Sequence, residues 1–353
     1  MHSKKMAWTP TLDPEDLDHI LDKTASIWPE LRGQRLFITG GTGFFGHWLL
    51  ESLLWANDLL NLNLSTLLLS RNPEGFCNKF PQLGHHPVIS WLRGDVKTFE
   101  FPQGDFPYII HAASEGDYRL AQQDPLAVFN TIVDGTHRVL EFARTHHTKK
   151  LLFTSSGAVY GKQPPEMTHI PEDYLGGPDV SKPLSAYAEG KRAAEMLCTL
   201  YSHQYGFETK IARCFAFVGP YLPLDANYAI GNFIRDALYG GPIVIKGDGT
   251  PYRSYLYAAD LAVWLWTILI KGRNLQPYNV GSERSITINN LAERIASQFD
   301  MSIVVSISSR PTPGAQSERY IPLTKLSTNH IKIIDWIGLD RAIHKTINWY
   351  KSM

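Results

Sequence analysis

Cysteine is scarce. Cys77, Cys198 and Cys214 are the only three in 353 residues, and they form no CxxC pair. A disulfide framework is therefore excluded, and free thiols in a reducing, cytoplasmic setting are expected. An excess of charge of one sign is also missing, because 34 Lys and Arg balance 34 Asp and Glu. A neutral chain offers no electrostatic reason to bind nucleic acid or an acidic membrane. Leu261–Ile270 is strongly apolar, yet Asp260 and Lys271 bound it at about half the roughly 20 residues a membrane helix needs. A buried helix is expected there. The first ten residues carry no apolar stretch of signal-peptide length, so the protein reads as soluble. His85-His86 and His146-His147 lie in polar stretches without companion ligands at metal spacing. They read as solvated histidines, and no metal site is expected. Repeats and low-complexity tracts are absent.

What is present begins at Leu36. Leu36-Phe37-Ile38-Thr39 is a short strand-like run leading into Gly40-Gly41-Thr42-Gly43-Phe44-Phe45-Gly46, and a helical pattern follows from His47. Glycines at 40, 43 and 46 allow a tight turn, a close phosphate and a helix packed hard on its strand. Strand-like runs then recur at Thr66–Leu69, Val88–Leu92, Tyr108–His111, Leu151–Thr154 and Lys210–Arg213, with helical stretches over Val133–Arg144 and Ser185–Tyr205. This alternation predicts an α/β fold with a doubly wound parallel sheet. Ahead of it, Asp13-Pro14-Glu15-Asp16 reads as a helix start, with Leu17, Ile20, Leu21 and Ala25 at helical spacing. The expected division is an N-terminal helical extension over 1–34, a dinucleotide-binding domain over 35–219, and mainly a smaller lobe over 220–353.

Tyr187 and Lys191 are four apart on one predicted helix, so phenol and ammonium can face the same ligand. An ammonium near a phenol should lower the tyrosine pKa and make it a usable acid and base at a carbinol oxygen. Ser156, at the end of the Leu151–Thr154 run, can bind that oxygen beside Tyr187.

The ordered set of Thr39–Gly46, His111-Ala112-Ala113, Thr154-Ser155-Ser156, Val159-Tyr160-Gly161 and Tyr187 with Lys191 resembles the extended short-chain dehydrogenase/reductase family. It is most similar to the nucleotide-sugar epimerase/dehydratase branch of that family. The resemblance spans residues 35 to 350. It implies a Rossmann-type domain holding a nicotinamide dinucleotide, with a C-terminal lobe holding a nucleoside-diphosphate sugar. Tyr187 would be the acid/base, Lys191 would hold the nicotinamide ribose, and Ser156 would bond the substrate oxygen. Gly40, Gly43, Phe44, Phe45 and Gly46 would line the pyrophosphate turn. Asp95, with Val96, would meet the adenine, and Ala112 and Ala113 would wall the ribose. Arg253, within Gly247–Ser254, is the candidate for the substrate diphosphate, and Arg319 is a second one. A homodimer through the two helices 133–144 and 185–205 is also implied.

Three departures narrow the function. The second strand ends in Arg71 with no acid at its tip, and an arginine there can accept a 2′-phosphate. NADP(H) is therefore expected ahead of NAD(H). Dehydratases of this branch carry two acids at the positions of Gly157 and Ala158, and neither residue here can move a proton. A nucleotide-sugar 4,6-dehydratase is thereby disfavoured, and an epimerase or a 4-keto reductase is expected. Ala216 stands where the family usually has asparagine. The alternative from another class is a non-catalytic NADP-binding regulator.

Overall fold

The computed structural model describes residues 8–114, 118–299 and 302–353, so the first seven residues of the extension lie outside the described residues. Seven parallel strands form the central sheet. They are β1 (Arg35–Thr39), β2 (Ser65–Ser70), β3 (Ile89–Arg93), β4 (Tyr108–His111), β5 (Lys150–Ser156), β6 (Glu208–Cys214) and β7 (Pro277–Val280). Their order is β3-β2-β1-β4-β5-β6-β7. The order reverses between β1 and β4, and open sheets of this kind bind ligands at that switch point, beyond the carboxyl ends of the strands. Strands β1, β4 and β5 are apolar and buried through their centres, as expected of a sheet covered on both faces.

Five helices matter for the site. They are α1 (Pro14–Lys23), α2 (Phe44–Leu60), α3 (Pro125–Thr145), α4 (Ala186–Tyr205) and α5 (Ala258–Lys271). α5 is apolar apart from Asp260, Thr267 and its terminal Lys271, and every residue from Ala258 to Ile270 is buried. Its polar atoms are paired: the indole N–H of Trp266 donates to Ser52 Oγ at 2.9 Å, and that of Trp264 to the Ile334 carbonyl at 3.1 Å. It is an interior helix, and no helix among the described residues is long and apolar enough to cross a membrane.

α1 starts as its sequence predicts. The Asp13 carboxylate accepts the Glu15 N–H, and Pro14 takes the first helical position. The helix leans on the core of its own chain, where Tyr257 donates to Asp16 at 2.6 Å and His19 meets Asp260 at 2.8 Å. Over the strand ends, Ser285–Thr287, Tyr252–Ser254 and Arg319–Tyr320 form a small three-stranded sheet.

Two histidine expectations need correction. His86 is buried, with Trp8 edge-on at 6.0 Å and Asp58 at 3.6 Å from its Nε2, because the extension folds back over it. His146 is half-buried, packed 4.1 Å from the Phe142 ring and bonded to the Pro102 carbonyl.

Candidate active site

Strand β5 ends at Ser156, and the chain then tightens into a 3₁₀ turn over Gly157–Tyr160, capped by Ser156 Oγ, which accepts the Ala158 N–H at 3.1 Å. A buried network holds this strand end. Arg213 on β6 meets Glu195 at 2.6 Å, Ser155 donates to the same carboxylate, and Arg213 also donates to the Tyr160 hydroxyl at 2.9 Å. Two charges taken out of water need this many partners.

α4 crosses above β5 and carries Tyr187 and Lys191 on one face. Lys191 is buried and donates to the Thr154 carbonyl at 2.7 Å, with Nζ 5.9 Å from the Tyr187 ring centroid. The Tyr187 phenol lies near the Ser156 and Ser114 hydroxyls, both of which act on its ionisation. The structure therefore brings Ser156, Tyr187 and Lys191 together.

Their ionisation differs from expectation. Burial pushes the Tyr187 phenol up to about 12, against the weaker pull of Ser156 and Ser114. Burial also pulls the Lys191 ammonium down to about 8. The predicted lowering of the tyrosine is not found. Lys191 lies beside the ring and spends a proton on a carbonyl, so desolvation outweighs its field at the phenol oxygen.

A further phenol, which the sequence reading missed, completes the cluster. Tyr320 reaches in from the small sheet, its hydroxyl over Gly157 and beside Ser156. A Cβ built on Gly157 would lie 2.6 Å from the Tyr320 hydroxyl and 2.8 Å from two Phe215 ring carbons. The only available signal was the Gly157-Ala158 pair itself, since volume vacated by side chains is filled by something else in a close-packed site.

Tyr320 and Arg253 are register partners on adjacent strands, so Arg253 lies in line with this phenol. Arg319 pairs with Tyr252 instead, and its guanidinium sits 4.2 Å over the Tyr252 ring. Successive strand residues face opposite ways, so Arg319 is not brought to the Ser156 cluster with Arg253.

At the switch point, Gly40 has φ +75, and a Cβ there would meet the Ala112 carbonyl carbon at 2.5 Å and the Ala113 nitrogen at 2.6 Å. On Gly46 it would strike the Gly41 carbonyl oxygen at 2.2 Å. Gly43 differs: its nearest neighbour would be 3.5 Å away, so protein atoms do not require a glycine there. Gly43 precedes α2, whose first turn at Phe44 and Phe45 has no side-chain cap. Helix N–H groups directed past an uncrowded glycine make a site for an anion. Ala113 N donates to Thr39 Oγ1, which also bonds His111, fixing the facing wall.

Residues 36–281 match the model of the NAD dependent epimerase/dehydratase family. The chain belongs to that family. UDP-glucuronic acid decarboxylase 5 of Arabidopsis thaliana is 30% identical over 291 residues, covering 82% of each chain. UDP-glucuronic acid decarboxylase 6 of the same plant is 31% identical over 261 residues, 74% of this chain and 73% of the relative. Among solved structures, a UDP-N-acetylglucosamine 4-epimerase from Methanobrevibacter ruminantium M1 superposes with TM-score 0.78 at 23% identity. The superposition covers 91% of this chain and 99% of that one. A dTDP-glucose 4,6-dehydratase from Streptomyces venezuelae, with NAD bound, gives TM-score 0.76 at 22% identity over 90% and 97%.

The glycine turn fits the dinucleotide of this NAD dependent epimerase/dehydratase family. Space beside Gly43, uncapped N–H groups and close packing at Gly40 and Gly46 are what a pyrophosphate turn needs. Asp95 and Val96 follow β3. The Asp95 carboxylate accepts the Lys97 N–H at 2.9 Å, and Val96 packs where Gly135 lets α3 approach. Arg71 is exposed just past β2. The family is NAD dependent by description, so the preference for NADP(H) read from Arg71 gains no support.

Proposed function

We propose that the protein is an NAD(P)-dependent oxidoreductase acting on a nucleoside-diphosphate sugar, of epimerase or 4-keto reductase type. The observation that carries the reading is the convergence of Ser156, Tyr187 and Lys191. NAD(H) is the proposed dinucleotide, held by Gly40, Gly43, Phe44, Phe45 and Gly46 at the pyrophosphate, Asp95 and Val96 at the adenine, and Ala112, Ala113 and Lys191 at the riboses. When bound, it supplies the hydride acceptor and donor at the reacting carbon.

This chain's residues do the rest. On oxidation Tyr187 acts as its phenolate: having lost its own proton to solvent, Oη takes the proton from a sugar hydroxyl as that carbon is oxidised, and the phenol so formed returns it on reduction. Ser156 donates to the same oxygen. Lys191, on the same helix face, supplies a positive charge that offsets part of the burial cost of that phenolate. Arg253 offers a fork of donors to the diphosphate. Gly157 and Ala158 supply no acid, so elimination of water by a neighbouring carboxyl is not part of this chemistry.

A second reading is favoured by the 30–31% identity to UDP-glucuronic acid decarboxylases. In a hexuronic acid, a ketone made at C4 lies β to the carboxylate. The C5–carboxylate bond then breaks with its electrons passing into the enolate, and C5 takes a proton from water. That step also needs no acid at 157 or 158.

The deciding experiment incubates purified protein with NAD(H) or NADP(H) and UDP-, dTDP-, GDP- and CDP-sugars, followed by mass spectrometry and NMR of the products. Interconversion without net cofactor use indicates an epimerase, stoichiometric loss of reduced cofactor with a 4-keto sugar indicates a reductase, and release of CO₂ indicates a decarboxylase. No turnover of any of them, with Tyr187→Phe indistinguishable from wild type, returns the non-catalytic regulator.

A further inference from the structure

The Ser156 hydroxyl has one proton to give and two lone pairs to fill. One lone pair takes the Ala158 N–H at 3.1 Å. The Tyr320 hydroxyl lies beside this serine, over the neighbouring Gly157, brought there by a strand pairing that sets Tyr320 opposite Arg253. The ring is wedged by Phe215, 4.7 Å away between centroids, and the hydroxyl fills the volume over Gly157. The segment just beyond is pinned to the dinucleotide-binding half of the molecule: Ile321 donates to Gln163 at 3.0 Å, and its carbonyl accepts the Ile170 N–H at 2.8 Å. Tyr320 is therefore held in place beside Ser156 by its strand pairing, by Phe215 and by the bonds of Ile321.

We propose that Tyr320 is a positioning residue that donates its O–H to Ser156 Oγ, fills the second lone pair, and so commits the Ser156 proton to the reacting oxygen beside Tyr187. Burial raises the Tyr320 phenol well above its ordinary range, so it keeps the proton it must donate. Chained donors in a site of low polarity strengthen one another, and a serine with a single allowed orientation need not reorganise as charge develops. Gly157 is a glycine because any side chain there displaces this phenol. The inference rests on the proposed redox reading for its kinetic consequence, but the hydrogen-bond chain itself does not.

Tyr320→Phe keeps the ring and removes the donor. The loss of one such bond predicts a fall in kcat of about tenfold with little change in KM. In a Ser156→Ala background the same change should cost nothing further, since the serine it orients is gone. Gly157→Ala should mimic Tyr320→Phe in the kcat-against-KM split. A readout free of turnover comes from protein labelled with ¹³Cζ-tyrosine. The Tyr187 signal is expected to move in Tyr320→Phe, but not when Tyr320→Phe is added to Ser156→Ala.

Wild-type kcat in Tyr320→Phe, or equal losses in the wild-type and Ser156→Ala backgrounds, overturns the proposal. So does an unmoved Tyr187 signal. Absence of any turnover in the wild-type protein counts against the proposed function alone, and the ¹³C signal then decides the hydrogen-bond chain.

Discussion

Lys191 donates a hydrogen bond to the Thr154 carbonyl at 2.7 Å and, from the same buried position, stands 5.9 Å from the Tyr187 ring centroid. An ammonium in such a place destabilises the fold while serving the site. Its pKa falls from 10.5 to about 8 in the folded protein. Between those values the unfolded chain binds more protons than the folded one, so this group makes stability rise with pH from about 8 to about 10.5. Lys191→Met should therefore be more stable than wild type at pH 7, by up to about 3 kcal/mol at 1.36 kcal/mol per unit. The gain should shrink toward zero by pH 10.5, while turnover is lost throughout. Urea unfolding across pH 6–10.5 checks this, and a variant less stable than wild type at pH 7 contradicts it.

The N-terminal extension is tied down by a carboxylate. Glu51, fully buried on α2, accepts the Thr11 N–H at 2.8 Å and the Leu12 N–H at 3.0 Å, and the Thr11 hydroxyl closes on both Glu51 and Tyr221. Glu51→Ala strands those donors at about 1–3 kcal/mol each. Unfolding should shift to lower urea, and limited proteolysis should cut within residues 8–25 before the core is touched. Glu51→Gln, which retains an acceptor, should lose much less. Equal behaviour of the two variants would show that the anchor is packing rather than hydrogen bonding.

The central strands and the Ser156, Tyr187 and Lys191 cluster could be read from the sequence for local reasons. β4 appears where Tyr108-Ile109-Ile110-His111 is apolar and bounded, and α4 was legible because Tyr187 and Lys191 belong to one periodic stretch. Tyr320 was not legible. Its position depends on a two-residue strand pairing in register with Tyr252 and Arg253 across more than sixty residues of chain, and two residues carry no periodicity. The burial of His86 depends on the extension folding back, a long-range event of the same kind. The ionisation of Tyr187 was misjudged because spacing reveals which charges are near, whereas burial, which decides here, is a property of the assembled site.

Leu126 on α3 and Met196 with Leu200 on α4 are exposed by 66%, 56% and 49%, and the two helices pack along each other. Met196 and Leu200 are four apart and share a face. A second copy of this chain joined through these helices would cover them, so light scattering should report a homodimer. Met196→Asp with Leu200→Asp should yield a folded monomer. A wild-type monomer at tens of micromolar rejects the paired arrangement.

The glycine turn permits a test that separates folding from binding. Gly46→Ala drives a methyl into the Gly41 carbonyl oxygen, and Gly40→Ala combines a clash with φ +75. Both should fold poorly, which reveals nothing about the ligand. Gly43→Ala meets only the Gly40 carbonyl oxygen at 3.5 Å, an ordinary contact, so its stability should stay within about 0.5 kcal/mol of wild type. If the open side of Gly43 is where the pyrophosphate lies against the α2 N–H groups, the added methyl takes that space. The Kd for NAD⁺, measured by calorimetry, should then rise at least tenfold while thermal unfolding without ligand is unchanged. Running NADP⁺ in parallel, with and without Arg71→Ala, also tests the dinucleotide preference. A tighter NADP⁺ complex that weakens selectively in Arg71→Ala would restore the role first read for that arginine. Unchanged NAD⁺ affinity in Gly43→Ala would mean that the dinucleotide does not approach the helix at this turn.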